Sequence, residues 1–120
     1  MTGSAGPGEE PFCYLTTTGR VTGRPHTIEI WFGLDGATIY LLSGGGARSD
    51  WVRNLASDPE VSVRVGGELR PGRARVVTDP DEDRLARSLL LTKYQPGYGG
   101  DLTGWSISSL PVAVDTRTPG

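Results

Sequence analysis

Cysteine, histidine and methionine each occur once in these 120 residues. The single cysteine, Cys13, excludes an internal disulfide and any multi-cysteine zinc ribbon, and the single histidine, His26, excludes a histidine-cluster metal site. No metal site is expected. The missing disulfides fit a reducing, cytoplasmic setting. No apolar run approaches the roughly 18 residues that a membrane helix needs, so no integral membrane segment is expected. Positive charge is also in short supply: 12 Lys and Arg against 14 Asp and Glu leave a net charge of -2. A chain of that balance has no global field to attract nucleic acid, and any anion it binds must be met locally. Neither G-x-S-x-G nor H-E-x-x-H is present. With so little acid–base, nucleophilic or metal chemistry of its own, an enzyme made from this chain would take its chemistry from a bound cofactor.

Turn formers are abundant, with 18 glycines and nine prolines. Apolar alternation between them argues for a folded β protein rather than disorder. The first 11 residues are rich in Gly, Pro and Glu and lack the basic and apolar regions of a signal peptide. They read as a mobile leader ahead of a single domain over residues 12–120. Strands are predicted over Phe12 to Thr18, Pro25 to Phe32, Ala37 to Leu42, Glu60 to Val65, Glu68 to Val77 and Leu110 to Val114. Asp35-Gly36 gives a hairpin signal. A short helix carries Trp51 and Leu55, with Ser49 as its N-cap and its end before Asp58-Pro59. A second helix starts at Asp79-Pro80, where Asp79 caps, Pro80 takes the first position and Glu82 completes a capping box. It fades near Tyr94 into a Gly-rich loop over Gln95 to Gly104. Six strands and two helices imply a mainly β, α+β fold: a six-stranded antiparallel barrel with two flanking helices.

Two turns stand out chemically. Leu42-Ser43-Gly44-Gly45-Gly46-Ala47-Arg48-Ser49-Asp50-Trp51 runs three glycines into a helix start. Such a turn is either a loop needing positive φ or a concavity of backbone N–H groups that cradles an anion, with Arg48 beside it. Thr16-Thr17-Thr18-Gly19-Arg20-Val21-Thr22-Gly23-Arg24 gathers hydroxyls, glycines and two arginines. Arg20 and Arg24 are either solvated turn charges or the second half of an anion site. His26 shares a face with Ile28 and Ile30 and reads as a partly buried structural histidine. Glu29 is a mid-strand charge opposite that face. Trp51 suits core packing. Tyr94, Tyr98 and Trp105 are either barrel-end filler or, lying in polar, Gly-rich sequence with little core pattern, ligand contacts, and an aromatic cavity beside an anion cradle suits a planar, phosphate-bearing cofactor.

Leu15-Thr16-Thr17-Thr18-Gly19-Arg20-Val21-Thr22-Gly23-Arg24-Pro25, Ser43-Gly44-Gly45-Gly46-Ala47 and Asp50-Trp51-Val52-Arg53-Asn54-Leu55-Ala56-Ser57-Asp58-Pro59 occur in an order and spacing that resembles the deazaflavin-dependent nitroreductase family. The resemblance runs from about Tyr14 to Val114. It implies the flavin-binding split barrel, homodimers, and coenzyme F-420, an 8-hydroxy-5-deazaflavin with a phosphate and glutamate tail. By position it implies cofactor contacts for Thr18, Arg20, Thr22, Arg24, His26, Ser43, Gly45, Gly46, Ala47, Arg48, Trp51 and Asn54. Asn54 would reach the ligand or cap local backbone. Tyr94 and Tyr98 fall where the family's tyrosines line the substrate pocket, and either would donate a proton or orient the acceptor. Trp31 and Trp105 would narrow that pocket. Many family members carry lysine where this chain has Val21 and Gly44, and Arg24 and Arg48 would compensate. The implied reaction passes a hydride from the reduced coenzyme to a small electron-poor acceptor: an activated alkene, a quinone or a nitro compound. An FMN-binding split-barrel oxidoreductase and a non-catalytic deazaflavin carrier are the alternatives.

Overall fold

The computed structural model describes residues 6–117. Seven strands form one antiparallel sheet: β1 (Cys13–Thr18), β2 (Pro25–Ile30), β3 (Gly33–Asp35), β4 (Thr38–Ser43), β5 (Glu60–Val65), β6 (Glu68–Val76) and β7 (Leu110–Thr116), in the order β2-β1-β5-β6-β7-β4-β3. The helices are α1 (Asp50–Ser57), α2 (Pro80–Tyr94) and α3 (Thr103–Ser108). The two edge strands, β2 and β3, are neighbours in sequence, joined only by Trp31 and Phe32, so the sheet curls round upon itself.

Alternation sorts the side chains into two cores. Leu15, Ile39, Leu41, Val61, Val63, Val65, Val112 and Val114 fill the inside of the curl, joined by Val52 and Leu55 of α1. The other face of β4 and β7, carrying Tyr40, Leu42 and Ala113, is covered by Ala86 and Leu90 of α2. Strand β4 is therefore buried on both faces, which explains its unbroken apolar run. Strand β5 has one covered face and alternates Val61, Val63 and Val65 against exposed Arg64.

The expected strand over Pro25 to Phe32 ends early, at Ile30, and a further short strand, β3, follows it at Gly33–Asp35, which makes seven rather than six. The break has a physical cause. Phe32 is fully buried, and its peptide groups are taken by side chains rather than by a ladder partner. The Phe32 N–H donates to the Tyr94 hydroxyl at 3.0 Å, and the Phe32 carbonyl accepts from Lys93 Nζ at 3.0 Å. Buried peptide groups need partners, and here α2 supplies them. Burial in turn lowers Lys93 to about 8.

A third helix, α3, replaces part of the expected loop over Gln95 to Gly104. Its six residues are too few to show an apolar stripe. They are held from outside: Arg87 Nη1 of α2 donates to the carbonyls of Ser106, Ile107 and Ser109 at 2.6, 2.8 and 2.8 Å. Asp79 caps α2 as expected, accepting from the Glu82 N–H at 2.9 Å. The Glu82 carboxylate does not complete the box. It turns to Tyr40 and Arg75 instead. Ser49 occupies the N-cap position of α1 but gives its hydroxyl to Ser43. Of the expected leader, residues 1–5 lie outside the described residues. Pro7–Glu9 form a 3-10 turn against β3, and the Pro11 carbonyl accepts from the Tyr94 hydroxyl, so this part of the leader rests on the barrel.

Candidate active site: two clefts sharing one strand

The first cleft, of about 410 Å³, is lined by Thr17, Gly19, Arg20, Val21, Thr22, His26, Ile28, Asp50, Trp51 and Asn54. Its organiser is Asn54, which is buried on α1. Asn54 Oδ1 accepts from the Arg20 N–H at 3.2 Å and from Arg20 Nη1 at 2.8 Å, while Nδ2 donates to Thr17 Oγ1 at 3.2 Å. One amide side chain thus fixes both the turn and its arginine. Asp50 holds the other end of the guanidinium, with Nη2 to Oδ1 at 3.1 Å. His26 is exposed, not partly buried as its alternating pattern suggested, because β2 is an edge strand with little above it. Its imidazole lies over Gly19, where a Cβ would come within 2.7 Å of Nε2. Only glycine leaves room for that approach.

The Ser43 turn links this cleft to a second one. Gly46 has φ +62°, so the positive-φ reading of the turn is correct. Ser43 Oγ donates to the Gly46 carbonyl at 2.8 Å and meets Ser49 Oγ at 2.7 Å, closing the turn from inside. A Cβ on Gly45 would strike Ser49 Oγ at 2.6 Å. The turn closes with the Arg48 N–H donating to the Gly45 carbonyl at 3.3 Å and the Ser49 N–H to the Gly46 carbonyl at 3.4 Å. Arg48 is exposed beside it. The turn lines neither cleft itself, but Leu42 before it lines the second, and Asp50 and Trp51 after it line the first.

The second cleft, of about 520 Å³, is lined by Phe12, Glu29, Ile30, Trp31, Leu42, Tyr98, Asp101, Leu102 and Trp105. Trp31 is its centre: it stacks on Tyr94 at 4.3 Å and meets Trp105 and Tyr98 edge-on at 5.6 and 6.0 Å. Gln95 clips the loop that carries Tyr98, with Nε2 to the Gly100 carbonyl and Oε1 to the Leu102 N–H, both at 2.7 Å. Strand β2 contributes to both clefts, Ile28 to the first and Glu29 and Ile30 to the second.

The expected site residues therefore separate. Arg20, Thr22, His26, Trp51 and Asn54 come together in the first cleft. Trp31, Tyr98 and Trp105 come together in the second, and Ser43, Gly45, Gly46, Ala47 and Arg48 form the turn between. Thr18 and Arg24 line neither cleft; Thr18 pairs with Pro25, and the Arg24 carbonyl closes the turn on the Gly19 N–H at 2.7 Å. Tyr94 lies behind Trp31. Its hydroxyl is committed to Phe32 and Pro11, and burial pushes it up to about 12. Sequence reasoning missed Phe12, Ile28, Ile30, Leu42, Asp50, Asp101 and Leu102. Leu42 and Asp50, at the two ends of the Gly-rich turn, carried a signal that pointed toward the site.

The sequence model of the F420H(2)-dependent quinone reductase family matches residues 2–117. An F420H(2)-dependent quinone reductase of Mycobacterium tuberculosis is 36% identical over 84 residues, which cover 66% of this chain and 56% of that protein. The match thus spans little more than half the length of that relative. Among solved structures, an F420-H2 dependent reductase superposes with a TM-score of 0.69 at 19% identity, covering 89% of this chain and 94% of its own. An F420 reductase superposes with a TM-score of 0.66 at 20% identity, covering 98% and 96%. Likeness at those identities speaks for the fold, a split barrel. The family match covers nearly the whole chain, and the chain belongs to the F420H(2)-dependent quinone reductase family.

Proposed function

We propose that this protein is a deazaflavin-dependent oxidoreductase that moves a hydride between coenzyme F-420 and a small electron-poor acceptor of the quinone type. The observation that carries the reading is the pair of clefts sharing β2: one holding Arg20, Thr22, His26 and Asn54, the other aromatic. The first fits an anionic, phosphate-bearing coenzyme. Arg20 is set in place by Asn54 and Asp50, and His26 and Thr22 stand in the same cleft. A fixed guanidinium is the donor such a group needs. The first cleft, with Arg20, Thr22 and His26, would hold the acidic tail. The Ser43-to-Ala47 turn would receive the phosphate.

Bound there, the reduced coenzyme would supply the hydride. Trp31 and Trp105 orient a flat acceptor and exclude water from one side of it. Tyr98 Oη is the hydroxyl placed to deliver a proton, since that of Tyr94 is already committed. A homodimer belongs to the same proposal, supported by a solved domain-swapped dimer that superposes on this chain with a TM-score of 0.71 at 20% identity. So does a cytoplasmic setting, supported by the one buried, unpaired cysteine. Among the described residues no helix is long and apolar enough to cross a membrane. The test is anaerobic mixing of the protein with reduced coenzyme F-420 and a naphthoquinone. The reading requires absorbance of the oxidised deazaflavin to appear faster than in a protein-free control. Equal rates would reject it.

A further inference from the structure

The loop from Gln95 to Leu102 joins α2 to α3 and carries Tyr98, Asp101 and Leu102 to the second cleft. Little of it can hold itself in place. Gly97, Gly99 and Gly100 offer no side chains, and a Cβ at Gly97 or Gly99 would meet nothing within 4 Å. Such a segment loses much conformational entropy when it is fixed, and contacts from elsewhere must offset that loss.

Gln95 supplies those contacts with both its peptide groups and both ends of its side chain. Its N–H donates to the Leu91 carbonyl at the end of α2, and its carbonyl accepts from the Tyr98 N–H at 3.1 Å. Further along the loop, Nε2 donates to the Gly100 carbonyl and Oε1 accepts from the Leu102 N–H, both at 2.7 Å. Leu102 is buried and stands at the N-cap of α3, so its N–H needs a partner within the protein, and Gln95 is that partner. The helix that begins there carries Trp105. One residue therefore ties Tyr98, Leu102 and Trp105 to the C-terminal end of α2, although Gln95 itself lines neither cleft.

We propose that Gln95 is a positioning residue for the second cleft: its carboxamide sets the walls that a flat, uncharged quinone-type acceptor meets, and so governs acceptor affinity without acting on the coenzyme cleft. This rests on the reading of the second cleft as the acceptor site and names the residue that shapes it. The chemistry required of the side chain is specific. One end must donate to a carbonyl while the other accepts from an N–H. A carboxamide supplies that pair at any pH, and a carboxyl group supplies it only when protonated. Without the two ties the loop samples other arrangements, and apparent affinity falls with the fraction that stays competent. Two hydrogen bonds of ordinary net strength, partly replaced by water, correspond to about a tenfold loss.

The test is titration of the full chain with the uncharged naphthoquinone menadione, without coenzyme, read by quenching of tryptophan fluorescence. The parent chain is compared with Gln95→Leu and Gln95→Glu at pH 7 and at about pH 4.5, close to the ordinary glutamate value. Gln95→Leu is expected to bind menadione about tenfold more weakly at both pH values. Gln95→Glu is expected to bind weakly at pH 7 and to recover by about threefold or more, relative to the parent, at the lower pH. Affinity for coenzyme F-420 is expected to be the same in all three chains. Equal menadione affinity in the parent and Gln95→Leu overturns the proposal. So does a Gln95→Glu chain that shows no recovery, a loss of both ligands together, or a parent chain that binds no menadione. If Gln95→Leu does not fold, the pH series on Gln95→Glu decides alone. Menadione binding that depends on Gln95 without coenzyme oxidation rejects only the oxidoreductase reading. Turnover with an unchanged KM for menadione in both variants rejects this inference alone.

Discussion

Asn54 shows how much one residue can organise. It is almost fully buried, and it ties Thr17 and both the N–H and the guanidinium of Arg20 to α1. Asn54→Ala would leave the Thr17 hydroxyl and the Arg20 N–H without these partners in the protein. The expected cost is about 2–3 kcal/mol, read as a lower denaturation midpoint in urea, together with weaker coenzyme binding. Unchanged stability and binding would mean that the turn holds itself. The sequence left two roles open for Asn54, ligand contact or local capping. The structure shows it bracing the turn from beneath while lining the cleft. The tyrosines divide in the same way. Tyr94 is bonded to Phe32 and Pro11, whereas Tyr98 is about half exposed in the second cleft. Tyr94→Phe is expected to lower stability by about 1 kcal/mol with turnover of the folded fraction kept. Tyr98→Phe is expected to lower kcat with little loss of stability, and comparing steady-state rates with melting curves separates the two. Sequence placed both tyrosines near a ligand because both lie in or beside a Gly-rich segment. It could not show that the hydroxyl of one is consumed by a peptide group 62 residues away.

At the scale of elements, what was legible was what short-range pattern controls. The alternation of β5, the Asp35-Gly36 hairpin and the Asp79 cap of α2 all appear where the residues indicate. What was not legible depends on contacts between distant segments. The break between β2 and β3 needs Lys93 and Tyr94, and α3 needs Arg87. The side chain of Glu82 belongs to that second class. Local pattern assigns it to a capping box, but Arg75 on β6 draws it away, with Nη1 to Oε1 at 2.6 Å, while Tyr40 donates to Oε2 at 2.7 Å. These partners, Arg75 first, hold Glu82 down to about 2. Its folded value is lower than its unfolded one, so the stabilisation is fully present above about pH 4.5 and is lost as pH falls from there toward 2. Arg75 also binds Asp115, so the network joins α2 to β6 and β7. Part of it is exposed, and screening limits the Glu82 contribution to on the order of 1–2 kcal/mol. Glu82→Gln is expected to lower the melting temperature at pH 7 and to narrow the gap to the parent chain at pH 3. A gap that stays constant between those pH values would contradict the assignment.

Across the whole molecule, the curl of the sheet is what makes a site from scattered residues. It brings the turn after β1, the edge strand β2, helix α1 and the loop between α2 and α3 to two clefts that share one strand. The motifs near residues 16–24 and 43–54 stood out because glycines, hydroxyls and arginines crowd there, but spacing alone left a plain turn and a ligand site as equal readings. The aromatic cleft was half readable: Trp31, Tyr98 and Trp105 stood out, but Leu42, Asp101 and Leu102 join them only through the tertiary fold. The central claim is that the cleft around Arg20 and its adjoining turn hold a deazaflavin coenzyme. It is tested most directly by melting the full chain with coenzyme F-420 and, separately, with FMN. At a ligand concentration of 100 Kd, linkage gives about 2.7 kcal/mol, or roughly 10 °C for a domain of this size. The account predicts such a rise with coenzyme F-420 and a much smaller one with FMN. No shift with coenzyme F-420, or a larger shift with FMN, would contradict it.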